Sequence, residues 1–263
     1  MVSLAVRCGV LLLPVLVAGC NVEGGYPQSW DTGGQQGGTG SGSSQTTSSM
    51  NGIWTGSLTL DGSTGGSAAT AVVWDGDLLL VSSAADAVFG GAVSGTSASG
   101  STSVDASGDV RAYSADGNAL DQGTLSGTVD PQNHMNATVS GTQRDGTLSL
   151  DYDNDFAAST TLADLAATWS VTRNGETLSL SVDKGGAVSG SRSDGCQYVG
   201  QLNALSGVSN LYRLTLTIST CSGANGDYAG YGYLDQDPDP DSLRLLSERG
   251  KNDRAFWAFL DRQ

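Results

Sequence analysis

Asp235-Gln236-Asp237-Pro238-Asp239-Pro240-Asp241 places four carboxylates at alternate positions. Hard oxygen donors on one loop are what a calcium ion requires, about six to eight of them. The run lacks the bidentate glutamate that closes an EF-hand loop, and Pro238 and Pro240 cannot donate ladder hydrogen bonds. Asp235, Asp237, Asp239 and Asp241 are therefore candidate cation ligands whose spacing fits a solvated acidic turn better than a metal cage. In Asp151-Tyr152-Asp153-Asn154-Asp155, strand alternation sets three aspartates on one side, where unpaired charges face water.

Catalytic chemistry has less to work with. The single histidine, His134, follows the turn-like Pro131-Gln132-Asn133, far along the chain from any marked nucleophile. A triad needs that one imidazole to be both base and correctly oriented, and no Gly-x-Ser-x-Gly elbow lies between a strand and a helix. Twenty-four aspartates supply acids for glycoside hydrolysis, but three glutamates and scattered tryptophans provide no platform for a sugar. The expectation is a protein that is not an enzyme and carries no cofactor.

The cysteines speak to location. Val17-Ala18-Gly19-Cys20 closes a short apolar run, Leu11-Leu12-Leu13-Pro14-Val15-Leu16, that follows the positive charge of Arg7. The run falls short of the roughly 20 apolar residues of a spanning helix, and Asn21, Glu23, Gly24 and Gly25 follow at once. The leader has the three parts of an export signal. It resembles the signal peptide of bacterial lipoproteins, whose lipobox ends in a small residue before cysteine. That resemblance implies cleavage before Cys20 and acylation of its thiol and new amine, more than one chain being what stable anchoring requires. Asn21, in place of the aspartate that retains many such proteins in the inner membrane, points to the outer membrane, facing the periplasm. Cys8 leaves with the leader; Cys196 and Cys221 remain and, in an oxidising compartment, are expected to pair.

Residues 20–49 hold Gly33, Gly34, Gly37, Gly38, Gly40 and Gly42 among Gln, Ser and Thr, which reads as a disordered, lipid-anchored tether with an end-to-end distance of roughly 30 Å. The formal charge is −15. Two lysines and ten arginines cannot neutralise a phosphate backbone against 27 acids, so nucleic acid is excluded as a partner.

From Asn51 onward, period-two alternation is broken every ten residues or so by Gly, Asp, Asn and Ser, the pattern of antiparallel sandwiches and barrels. Gly52–Leu60 places Trp54, Leu58 and Leu60 on one face, and further strands are expected through 70–74, 77–82, 88–94, 109–114, 123–129, 134–141 and 146–152. Residues 159–166 break the pattern: hydroxyl residues and Thr161 with Asp164 at capping-box spacing predict a short helix or helical turn. A second series opens at Trp169 and runs through 176–182, 186–191, 196–202, 211–219, 228–234, 242–247 and 254–260. The chain is thus expected to be all-β: a signal peptide at 1–19, the tether at 20–49, and two tandem antiparallel barrel- or sandwich-like halves, 50–156 and 157–263, joined by the short helix. The halves look like a diverged duplication beginning near Trp54 and Trp169. Arg254–Leu260 is apolar on both faces, which places that strand between the halves.

Gly52-x-Trp54 at the head of eight short strands resembles the glycine–tryptophan signature of calycin barrels, the lipocalin and avidin group; the second half has Ala167-Thr168-Trp169 and lacks the glycine. The resemblance implies a first-strand tryptophan plugging one end of the barrel. Inward positions rich in Ala, Val and Leu, with four phenylalanines in the chain, predict filled barrels rather than a deep aromatic-lined pocket. The expected role is a lipid-anchored binding or structural module meeting membrane lipid through Cys20. Its further partner would be an envelope protein, or a small apolar ligand if a barrel is open, with a hydrolase or hydrolase inhibitor as the remaining alternative.

Overall fold

The computed structural model describes residues 44–45, 47–82, 87–143, 145–237, 241–250 and 252–263. The leader, Cys20, the tether as far as residue 43, and Asp239 lie outside the described residues.

A two-residue strand, β1 (Ser44–Gln45), and a 3-10 turn at Thr47–Met50 lead into eight strands: β2 (Gly52–Leu60), β3 (Ser67–Trp74), β4 (Asp77–Ser82), β5 (Ala87–Ser97), β6 (Val104–Tyr113), β7 (Ala119–Asp130), β8 (His134–Gly141) and β9 (Asp145–Asp153). Each pairs antiparallel with the next, and β2 closes the ring on β9, with Trp54 opposite Tyr152. A second closed meander follows: β10 (Ala167–Arg173), β11 (Glu176–Val182), β12 (Ala187–Arg192), β13 (Gln197–Ala204), β14 (Tyr212–Ser219), β15 (Gly226–Asp235), β16 (Ser242–Arg249) and β17 (Ala255–Arg262), joined back to β10 at Trp169–Arg262. Both halves are barrels; the first closes over nine residue pairs between β5 and β6, the second over two between β10 and β17, Trp169–Arg262 and Ser170–Asp261.

Local chemistry sets the tight corners. Asp75-Gly76 and Asn174-Gly175 each place two consecutive residues at positive φ, 51° and 90° in the first pair, 53° and 82° in the second. This is the type I′ conformation whose twist matches flanking strands, and the pairs Trp74–Asp77 and Arg173–Glu176 close the two hairpins.

Of the short helix or helical turn expected over 159–166, only turns form. Asn154–Ala157 makes a single 3-10 turn, and 162–165 are turns. The Thr161–Asp164 spacing does what a capping box does on one side, the Asp164 carboxylate accepting from the Thr161 N–H and hydroxyl at 2.8 Å each. With the chain entering β10 at Ala167, there is no length for helical propagation, which is costly to nucleate.

Each barrel interior is a continuous packed cluster. In the first, Trp54, Leu58, Ala71, Leu80, Val129 and Leu150 are among the members; in the second, Leu165, Trp169, Leu180, Leu202, Leu214 and Leu245. Both tryptophans are fully buried at the head of their first strand, and each indole N–H donates to the carbonyl four residues earlier, Trp54 to Met50 at 3.1 Å and Trp169 to Leu165 at 2.8 Å. Tyr152 meets Trp54 edge-on, whereas the Arg262 guanidinium lies 4.6 Å from the Trp169 ring centre.

A third core joins the barrels. Ile53, Val72, Leu79, Val81, Val88 and Tyr113 point out of the first barrel and pack against Leu211, Tyr231, Tyr233, Leu246 and Ala255 of the second. Trp257 and Phe259 of β17 face this seam, while Ala258 and Leu260 face their own barrel. The last strand therefore lies between the halves, as its two apolar faces require.

Asn210 fastens the connecting segment. Fully buried, it donates to the carbonyls of Asp155 (2.9 Å) and Leu234 (2.7 Å), and its Oδ1 accepts from the Leu234 N–H (3.0 Å) and the Thr160 hydroxyl (3.0 Å). Asn210→Ala strands several buried polar groups at once and is expected to cost about 2–4 kcal/mol of stability, measured by urea unfolding.

Candidate functional site

Hairpins 10/11, 12/13, 14/15 and 16/17 gather at the end of the second barrel opposite Trp169. Between them opens a cleft of about 550 Å³. Its floor is made by inward side chains that cap the packed interior: Leu178, Tyr198, Ile218, Tyr228 and Phe256. Tyr198 and Tyr228 flank Phe256, at 5.6 Å and 6.4 Å between ring centres. Arg173, Arg192, Arg254 and Trp257 stand around them, with Arg173 5.2 Å from the Trp257 ring centre. One wall comes from the other barrel: Ala115, Asp116 and Asn118, on the turn between β6 and β7, line the same space.

That turn is fixed in place. Ala255 N–H donates to Gly117 O (2.8 Å) and Ala119 N–H to Asp253 O (3.1 Å). Arg254 donates to Asn118 Oδ1 (2.7 Å), Asp116 O (2.8 Å) and Gly223 O (3.0 Å). A Cβ on Gly117, which lies at φ 79°, would collide with the Ala255 carbonyl, so only glycine permits this approach. On the opposite rim, Cys196 and Cys221 form the expected disulfide, with Cα atoms 4.7 Å apart, tying the 12/13 turn to the 14/15 turn. Arg192 bonds the Asp194 carboxylate (Nε to Oδ1, 3.0 Å) and Glu176 (3.1 Å).

The seam between the barrels buries polar groups in pairs. Tyr231 donates to Asp77 Oδ2 at 2.6 Å and receives Arg213, at 3.3 Å from its hydroxyl; Tyr113 donates to Glu248 Oε1. Burial raises the carboxyl pKa of both Asp77 and Glu248, offset in part by these tyrosine hydrogen bonds. The Glu248 side chain occupies the space a Cβ would take at Gly90.

Among the described residues the acidic stretches are drawn together without forming a cluster of ligand-type oxygens. Asp235 is bonded by Arg244 (Nε, 2.8 Å), Asp241 lies 3.7 Å from Arg262, and the Asp237 N–H donates to Asp235 (3.3 Å). Asp151 is on the outer surface, its side chain 79 % exposed. Asp155 departs from the expectation that it faces water: it is 8 % exposed. The chain leaves the strand at Asp153 for the 3-10 turn, rotating Asp155 inward, where its Oδ2 accepts from the Gln236 N–H at 3.0 Å. Desolvation, and then the charges of Asp153, Asp235 and Asp237, push its pKa up to about 6, against the relief of that hydrogen bond. Among the described residues, Asp194, Cys196 and Cys221 form a group of metal-type donors within 4.8 Å, but the two sulfurs are bonded to each other and Arg192 holds the carboxylate.

His134 has neighbours the linear sequence hides. Its Nδ1 lies 2.7 Å from Asp151 Oδ1, and Ser149 Oγ is 3.4 Å from Nε2. Hydroxyl, imidazole and carboxylate thus stand in the order of an acyl-transfer relay, brought together because β8 and β9 pair His134 with Asp151 and Asn136 with Ser149. The Asp151 hydrogen bond raises the imidazole pKa. Ser149 is exposed in mid-strand, paired on its other side with Ser57, so the ladder engages the backbone N–H groups that an oxyanion hole would need.

The cleft residues escaped the sequence reading because it counted phenylalanines, whereas tyrosines make most of the aromatic floor. Tyr198 and Tyr228 sat at inward positions beside turns, which was the available signal. Comparison with known proteins finds no matching family model, no matching curated protein and no matching solved structure. Among the described residues, no helix is long and apolar enough to cross a membrane.

Two outcomes follow from these contacts. A carboxyl whose folded pKa is raised from 3.8 to about 6 binds protons more tightly when folded, so its contribution to stability falls as pH rises through that window. Asp155→Asn keeps the acceptor for Gln236 and removes the charge; it should raise the melting temperature near neutral pH and shrink the gain the wild type shows on acidification to about pH 5. Opening the Cys196–Cys221 link, whose partners are 25 residues apart, should cost about 3 kcal/mol in denaturant unfolding with and without reductant.

Proposed function

We propose that this chain is a lipid-anchored, non-enzymatic binding module of the cell envelope, held to the periplasmic face of the outer membrane through acylated Cys20. Its binding site is the cleft at the open end of the second barrel. The observation that carries this reading is a concave, partly polar space of about 550 Å³, walled by both barrels and set over a packed interior. Volumes of that size are typical of small-molecule sites, and here polar groups on the walls stand over an apolar floor. The packed interiors argue against deep carriage of an apolar ligand and favour recognition at the mouth. Cys20 at the end of the apolar leader, the glycine-rich run behind it and the buried disulfide agree with export and tethering. The first-strand tryptophan, buried at one end of each barrel, supports the calycin-like resemblance.

A second reading has one observation behind it, the Ser149–His134–Asp151 line. As a hydrolase, Ser149 Oγ would attack an ester carbonyl while His134 Nε2 takes its proton and passes it to the leaving alcohol, and water would then free the acyl group. The exposed strand face gives such a reaction neither a pocket nor oxyanion donors.

Fatty-acid labelling of cells should mark the wild-type protein and fractionate it with membranes, while Cys20→Ser is unlabelled and released in soluble form. A fluorophosphonate probe should leave Ser149 unmodified. Labelling there that disappears in His134→Ala would replace the binding reading with the hydrolytic one.

A further inference from the structure

Resting on the cleft as the binding site, we infer that its ligand is a small planar, ring-bearing molecule carrying a carboxylate. The floor sets the shape. Tyr198 and Tyr228, each 2 % exposed, lean on Phe256 at 42° and 68°, so the part-exposed Phe256, with Trp257 beside it at the rim, is the ring surface on offer, and such a surface rewards a ring-bearing partner through offset or edge contacts.

The donors set the charge. In a chain with a net charge of −15, three of ten arginines, Arg173, Arg192 and Arg254, line this one space, against Glu176 and Asp116 as the lining acids. Glu176 is bonded to Arg192, as is Asp194 beside it. The three acceptors of Arg254 are an amide oxygen and two backbone carbonyls, all uncharged, so its positive charge is met by dipoles and not by a carboxylate. Clefts with low-dielectric walls concentrate such a field.

A hydroxyl completes the set. Tyr198 is 2 % exposed and its burial raises the phenol pKa, so it is a neutral donor. Tyr228 donates to Ala224 O at 2.8 Å; the Tyr198 hydroxyl has no hydrogen-bond partner among the described residues, and it lies on the cleft wall. Facing the cleft, this hydroxyl is open to an acceptor brought in by a ligand. Carboxylate and phosphate both accept from phenol and guanidinium donors, and the single charge of a carboxylate matches the one at Arg254 that neutral oxygens meet. The wall from Ala115, Asp116 and Asn118 makes the site composite: the second barrel without the first has an open side.

The test compares naphthalene-2-carboxylate with naphthalene-2-methanol by titration calorimetry on the full mature chain, the Tyr198→Phe variant and the Arg173→Gln variant. Tyr198→Phe keeps the ring and removes the hydroxyl alone; Arg173 is solvent-exposed at the rim, so its replacement spares the core. The acid should bind at least about 10-fold more tightly than the alcohol, as expected for charge-assisted hydrogen bonds. Tyr198→Phe should weaken the acid about 5-fold and leave the alcohol unchanged, and Arg173→Gln should weaken the acid preferentially. Equal affinities for acid and alcohol, or an acid affinity that neither substitution alters, would overturn the carboxylate assignment while leaving a ring-binding cleft in place. Absence of heat from both compounds at about 1 mM would overturn the cleft as a binding site as well.

Discussion

Everything in this molecule follows from strands that are apolar on both faces. β4 reads Asp77-Leu78-Leu79-Leu80-Val81-Ser82, with Leu78 and Leu80 inside its barrel and Leu79 and Val81 outside it. β17 repeats the condition with Ala258 and Leu260 inside and Trp257 and Phe259 outside. A closed barrel satisfies the inner face; only a second body can satisfy the outer one. The two barrels are therefore halves of one packed unit, with a third core between them.

That third core dictates the polar chemistry at the seam. Asp77 and Glu248 are carried into it on strands whose neighbouring residues must be buried, and each meets a tyrosine hydroxyl from the opposite barrel, Tyr231 and Tyr113. A buried carboxyl with a phenol donor costs far less than one without. These pairs also fix the rotation of one barrel against the other, since apolar contact alone is non-directional. The same fixed rotation brings the β6–β7 turn to β17 and so creates the wall of the cleft. Packing at the seam and the site at the mouth are consequences of one docking.

The strand ladder was legible in the sequence because its signals are local. Alternation marked the strands, and glycine with aspartate or asparagine marked the corners, so expected windows such as 77–82, 134–141 and 176–182 coincide with β4, β8 and β11. Strand count and edge chemistry allow closure but leave barrel and sandwich both open, a choice that the pairing of β5 with β6 and of β10 with β17 decides; the both-faced apolarity of 254–260 points the last strand to the seam. Over 159–166 the hydroxyl caps and the Thr161–Asp164 spacing describe a helix start and also a bare turn; only the short distance to β10 decides for the turn. The convergence of Asp155 on Gln236, and of Ser149 and Asp151 on His134, depends on register and on a turn's rotation, which no local pattern carries.

The two barrels solve the same closure problem with different chemistry, and the difference bears on where a site can arise. At the tryptophan end of each, the indole N–H is satisfied by the carbonyl four residues back, so both ends are sealed and dry. Over Trp169 the seal includes Arg262, whose guanidinium also donates to Asp164 O at 2.6 Å, so its charge is spent on closing the barrel. Arginine plays a comparable part at Asp235, where Arg244 lies over Phe259 while holding the carboxylate. With so few cations in the chain, one at the opposite end of the second barrel is set apart by its partners: Arg254 donates to neutral carbonyl and amide oxygens, whereas Arg192 beside it holds two carboxylates. A guanidinium held by neutral acceptors thus stands at one opening, above aromatic side chains that already belong to the core. A binding site here needs no extra element of structure, only an end of the barrel left unsealed and a neighbour close enough to wall it.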